Sequence, residues 1–216
     1  MRICRFIAIA VLAWLVVSAA WAADDRPAAQ AKYAELAAKV RAGDLGIDWK
    51  ALRVAAAIGE MGDPPADFRH MRDGYGAMNE GKFQDALNAA RAIEEHNIAD
   101  VDAHYIAWRS LTELNRQDEA EKERLMLAAI LDSITNSGDG KSAKTAWFAA
   151  TIREEYLYMG SILNVQFVDH RTSMQDGIYY DVVAVKDKDG KEQVLWFNGD
   201  TEMRRQIAAG ERATHP

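Results

Sequence analysis

His104 stands two residues after Asp102, and an imidazole that titrates near neutrality beside a carboxylate is equipment for moving a proton. Glu154 and Glu155 are adjacent carboxyl groups, which can perturb one another enough to divide acid and base roles. Gly140-Lys141-Ser142 closes a turn, Ser137 to Ser142, in the manner of a phosphate loop, where backbone amides cradle phosphates while Lys and Ser serve phosphate and magnesium. The chemistry on offer is therefore proton transfer, carboxylate work or nucleotide binding.

Spacing weakens all three. Residues two apart do not share a helix face, so Asp102 cannot serve His104 along one helix. Asp100 and Asp102 suit a first turn, where carboxylates meet the positive end of the dipole, and His104 is expected to bond across to the neighbouring helix. Consecutive helical side chains diverge by about 100°, so Glu154 and Glu155 are expected on a solvated face, one of them holding Lys141 or Arg153. The first glycine of a phosphate loop would fall on Thr135, and the turn follows a helical pattern rather than a buried strand. Asn136, Gly138, Gly140 and Ser142 do not supply the alternating oxygens of a calcium loop. None of the five histidines pairs with another at the spacing of a helical metal site, so neither metal nor cofactor is expected. There is no Gly-x-Ser-x-Gly elbow, and the single cysteine is Cys4. Arg53, Asp102, His104, Asp139, Lys141, Ser142 and Glu155 are left as a candidate ligand site, if the central turn, the start of the His104 helix and the strand edges converge. Trp49, Trp108, Trp147 and Trp196 are expected in the core.

The elements that must position these residues are readable. Leu127, Leu131 and Ile134 recur at three- and four-residue spacing before the turn, and Phe148, Ile152, Tyr156 and Met159 after it, which predicts two amphipathic helices. Gly138 or Gly140 would end the first and Ser142 would cap the second. Upstream, helices are expected from Pro27 to Gly43, from Asp48 as cap through Ile58, and from about Asp67 to Gly81. Ala86, Leu87 and Ala90, then Ala103, Ala107, Ser110 and Leu111, put small residues where two antiparallel helices can approach closely, in the style of a tetratricopeptide pair. An imperfect second unit starts near Arg116. After Gly160 the period becomes two, predicting strands at Val165–Asp169, Tyr179–Val185 and Val194–Asn198, with His170–Gly177 as a long connection and Asp189-Gly190 as a tight turn. The expected fold class is α+β: a helical hairpin stack over 27–160, then a three-stranded antiparallel meander over 161–199, in one domain spanning 23–216.

Residues 1–22 carry Arg2 and Arg5, an apolar run from Phe6 to Val17, and small residues around Trp21, the pattern of a cleaved signal peptide. The apolar run is short for a bilayer span, so no membrane span is expected after cleavage. Without Arg2 and Arg5 the chain has 24 basic against 33 acidic side chains, a formal charge of −9, which disfavours nucleic acid as a partner.

The succession Ile47-Asp48-Trp49-Lys50-Ala51-Leu52-Arg53, Asp100 to His104, Ser133 to Ser142, Glu154-Glu155-Tyr156, Tyr180 to Val183 and Leu195 to Asn198 resembles a bacterial exported family, the domain of unknown function numbered four thousand nine hundred and nineteen. The resemblance implies an exported domain and supplies no catalytic residues. The expected function is a non-catalytic periplasmic or secreted binding and interaction domain, whose partner is a protein or small ligand of the cell envelope. The alternatives are a cell-envelope hydrolase using His104 with a nearby carboxylate, and a purely structural envelope protein.

Overall fold

The computed structural model describes residues 25–62 and 64–214. Residues 1–24, on which the expected signal peptide falls, Asp63, His215 and Pro216 lie outside them. Helices α1 (Asp25–Arg41) and α2 (Trp49–Ile58) form the first pair, and Asp48 caps α2 by accepting the Ala51 amide at 2.9 Å. Helices α3 (Pro64–Asn79), α4 (Phe83–His96), α5 (Val101–Glu113) and α6 (Gln117–Thr135) follow as successive neighbours. Asp100 caps α5 through the Ala103 amide at 3.0 Å. Ala86, Ala90, Ala103 and Ala107 are all fully buried, so the small residues do bring α4 and α5 together. The stack ends at α6, because the second unit supplies one helix and the chain then turns away.

Beyond α6 the structure departs from the sequence pattern. The stretch after the turn is not one helix: Trp147–Phe148 is a short strand, β1, and helix α7 runs only from Ile152 to Tyr158. Tertiary pairing overrides the helical period there, since Trp147 and Phe148 lie in parallel register with Phe197 and Asn198. Trp147 packs on Tyr158 and Phe197 with ring centroids 5.2 and 5.5 Å away, whereas Tyr156 is exposed. The remaining strands are β2 (Gln166–Gln175), β3 (Ile178–Lys186) and β4 (Glu192–Asn198), followed by α8 (Asp200–Thr214). The order β1-β4-β3-β2 makes a mixed four-stranded sheet, not a three-stranded antiparallel one. Residues 170–175 extend β2 instead of forming a long connection. The hairpin turn is Asp176-Gly177, whose φ angles of 52° and 78° are those a two-residue turn requires. The α+β class stands.

One sheet face carries Val183, Val185, Leu195 and Phe197 into the larger core with α1, α2 and α6, and Asp181 is the polar member of that face. A smaller apolar cluster joins α4, α5 and the start of α6. Trp49 and Trp147 are buried, while Trp108 and Trp196 are half-buried. Among the described residues no helix is long and apolar enough to cross a membrane.

Candidate functional site

Helix α7 is seven residues long, and its three consecutive charges are anchored in three directions. Because side chains diverge around a helix, Arg153, Glu154 and Glu155 each reach a different element. Arg153 donates to Asp102 Oδ2 and Asp100 Oδ1, both at 2.7 Å, so it clamps the first turn of α5. Tyr75 on α3 donates to the other oxygen of Asp102 at 2.8 Å. Burial pushes the Asp102 carboxyl up against the pull of Arg153. Glu154 Oε2 accepts from Arg53 Nη1 at 2.5 Å and from the Ala150 amide at 2.7 Å. Arg53 is 1% exposed, and its Nε donates to Ser133 Oγ at 3.0 Å on α6. Its remaining nitrogen, Nη2, is buried with no hydrogen-bond partner.

Glu155 is 2% exposed and hydrogen-bonded to Asp181 on β3. Burial, then the Asp181 charge and hydrogen bond, push its carboxyl well above the ordinary range, so it serves as the donor of that pair. His170 Nε2 lies 2.7 Å from Asp181 Oδ1. Gly199 passes so close that an added Cβ would meet Asp181 Oδ2 at 2.4 Å. The expectation that Glu154 and Glu155 face solvent, and that Lys141 or Arg153 holds one of them, is therefore corrected: both are buried, and Glu154 is held by Arg53.

His104 is fully buried and bonds across to α6, as its spacing predicts. Its Nδ1 is 2.7 Å from Glu123 Oε2 and its Nε2 2.9 Å from the Ile98 carbonyl oxygen. Both partners only accept, so both ring nitrogens donate and the ring is an imidazolium. Burial pulls its pKa down, but the Glu123 hydrogen bond, the Glu94 and Glu123 charges and the Ile98 carbonyl together raise it from 6.5 to about 9. Arg91 bridges Glu94 and Glu123, giving two cations and two carboxylates in one network that ties α4, α5 and α6. Donor atoms of Glu94, His104 and Glu123 lie within 4.8 Å of one another, a grouping that the spacing of the histidines does not reveal. With a proton on each nitrogen, His104 has no lone pair for general-base work, and a metal held with Glu94 and Glu123 would have to displace the Nδ1 proton.

The central turn is occupied with its own architecture. Ser137 Oγ donates to the Ile134 carbonyl at 2.6 Å and accepts the Phe148 amide at 2.7 Å. The amides of Asp139 and Gly140 both donate to the Thr145 carbonyl at 2.9 Å, and the Trp196 amide donates to Gly140 O at 2.9 Å. Gly140 has φ +64°, and a Cβ there would lie 2.2 Å from the Trp147 ring. Gly140 thus serves contact with the sheet rather than ending α6, whose last residue is Thr135. Asp139, exposed, is held down to about 2 by a Thr145 hydrogen bond and the Lys141 amide and ammonium. Ser142 makes no cap bond and lies 3.0 Å from Thr145 Oγ1. Amides turned onto a protein carbonyl do not cradle a phosphate.

A cavity of about 210 Å³ opens between α2, the start of α3, the start of α5, α7 and α8. Arg53, Asp100, Arg153, Glu154, Glu202 and Arg205 supply polar wall, Ala56, Ala57, Val101 and Ile152 apolar wall, and the exposed Phe68 stands at the rim. Of the seven predicted residues the structure brings Arg53 to this wall and places Asp102 just behind it, under Arg153. His104, Glu155 and the turn residues Asp139, Lys141 and Ser142 do not line it. Sequence reasoning missed Arg153, Glu154, Glu202 and Arg205. The available signal was three charges in a row inside an apolar frame, Ile152 to Leu157, on a helix too short to expose them all.

A family model described as Domain of unknown function (DUF4919) matches residues 67–207. No curated protein and no solved structure matches the chain.

Proposed function

We propose, on the premise that the chain belongs to the DUF4919 family of domains of unknown function, that it is an exported, non-catalytic binding domain seating a small polar ligand in the Arg53 cavity. The observation that carries this reading is the cavity of about 210 Å³, walled by the charged side chains of Arg153, Glu202 and Arg205 beside the apolar Ala56, Ala57, Val101 and Ile152. The hydrolase alternative loses its reagent, because His104 is a fully buried imidazolium. Export rests on the pattern of residues 1–22.

Two measurements test this reading. Thermal scanning of the purified protein against small polar envelope compounds is expected to find at least one that raises the melting temperature, with the effect lost in Ile152→Trp, which fills the cavity. A library in which nothing stabilises the parent protein would remove the binding role. Fractionation with amino-terminal sequencing is expected to find an exported chain beginning at Ala23; an intact Met1 in the cytoplasm would overturn export.

A further inference from the structure

We infer that Glu94, His104 and Glu123 form a binding site for one divalent transition-metal ion, zinc before others, where α4, α5 and α6 meet. None of the three lines the Arg53 cavity, so the site does not depend on what that cavity holds. One ligand atom from each residue lies within 4.8 Å of those of the other two. Small rotations of the carboxylates bring all three onto an ion that takes nitrogen and oxygen at about 2.0–2.2 Å. The cluster also leaves an oxygen unanswered. Glu94 is 8% exposed, and its Oε1 is buried without a hydrogen-bond partner, 3.5 Å from His104 Nδ1 and turned toward it. An ion beside Nδ1 would meet that oxygen. His104 is held for ligation from behind, since its Nε2 donates to the Ile98 carbonyl at 2.9 Å, the outer bond that metal-bound imidazoles make. That bond leaves Nδ1 facing the two glutamates.

The exchange balances in charge and in protons. Without metal, the Glu94 and Glu123 carboxylates are matched by the Arg91 guanidinium and the His104 imidazolium. On binding, His104 gives its Nδ1 proton to solvent and its lone pair to the ion, and Arg91, whose side chain is 43% exposed, swings outward. Two positive charges leave and two arrive, so the buried carboxylates stay neutralised. Glu94 Oε2 and Glu123 Oε1, which Arg91 releases, then complete the shell of the ion. Zinc suits a closed set of one imidazole and two carboxylates because it is content with four ligands. Calcium takes six to eight oxygens and magnesium keeps several waters, neither of which this junction supplies.

The test is calorimetric titration of the chelator-treated purified protein with zinc chloride, beside thermal scanning with and without zinc. One zinc per chain and a raised melting temperature are expected, while magnesium and calcium chloride change neither. Glu94→Gln and His104→Gln should each weaken zinc binding at least about tenfold. Arg91→Ala should tighten it by a similar factor, because the ion no longer displaces a guanidinium, and zinc should restore the melting temperature which that variant loses. A purely structural ion-pair network would show no zinc effect in any of these forms. Absence of zinc binding by the parent overturns the inference, as does binding that Glu94→Gln leaves unchanged, which would put the ion on other side chains. Arg91 is partly exposed, so its variant keeps the inference testable if a ligand variant fails to fold: zinc bound no more tightly by Arg91→Ala than by the parent also overturns it.

Discussion

At the scale of single residues, burial decides what each charge can do. His104 gains its partners in the folded state, and its pKa rises from 6.5 to about 9, so the stabilisation is fully present below pH 6.5 and is lost as pH rises through 9. The melting temperature is expected to fall across that window, by a total of about 3 kcal/mol in stability, and the slope should flatten in His104→Gln; an unchanged slope would assign it to another group. Arg53 and Glu154 form a buried pair, for which removing one partner leaves a bare charge. Arg53→Met or Glu154→Gln should each cost about 3–5 kcal/mol, and the double variant markedly less than the sum. Denaturant titration of all four forms checks this, and simple additivity would mean that the two side chains do not interact. The residue types at both places were visible in the sequence, and so was the bond from His104 to the next helix. The pairing of Arg53 with Glu154, 101 positions apart, was not, because nothing local specifies it.

At the scale of elements, α7 and the turn before β1 hold the halves together. A helix of seven residues has little intrinsic stability, so its place is set by what its charges grip. Arg153→Ala should free the first turn of α5, seen as faster amide exchange at Ala103 and His104 with the centre of α5 still protected; uniform protection would show that the clamp is dispensable. Gly140→Ala imposes a left-handed backbone on a residue with a Cβ and drives that Cβ into Trp147. A loss of about 2–3 kcal/mol is expected by thermal or urea unfolding, and a variant as stable as the parent would refute the turn's role as a clamp. The sequence suggested a glycine ending α6 and Ser142 capping a following helix, and neither holds, because α6 ends at Thr135 and Ser142 makes no cap bond. It could not show that Gly140 serves a tryptophan, or that Trp147–Phe148 leaves the helical pattern, since the strand exists only once β4 lies beside it.

At the scale of the whole molecule, the two apolar clusters share Trp108, and the charged anchors of α7 cross between α2, α5 and the sheet. Urea unfolding followed by tryptophan fluorescence and by far-ultraviolet circular dichroism is therefore expected to give coincident transitions, and separated midpoints would show that the α4–α5 hairpin melts independently. The sequence by itself determined the α+β class, the close α4–α5 hairpin, the acidic caps and the family resemblance, because each depends on residues near one another along the chain; it placed a turn between β3 and β4, which is a five-residue loop, 187–191, with only Gly190 at positive φ rather than a tight Asp189-Gly190 turn. Only the tertiary structure decided the fourth strand, the burial of Glu154 and Glu155, the imidazolium of His104 and the cavity at Arg53. Those depend on which elements meet, and a charge that would be solvated on an isolated helix acquires a different role when three other elements close over it.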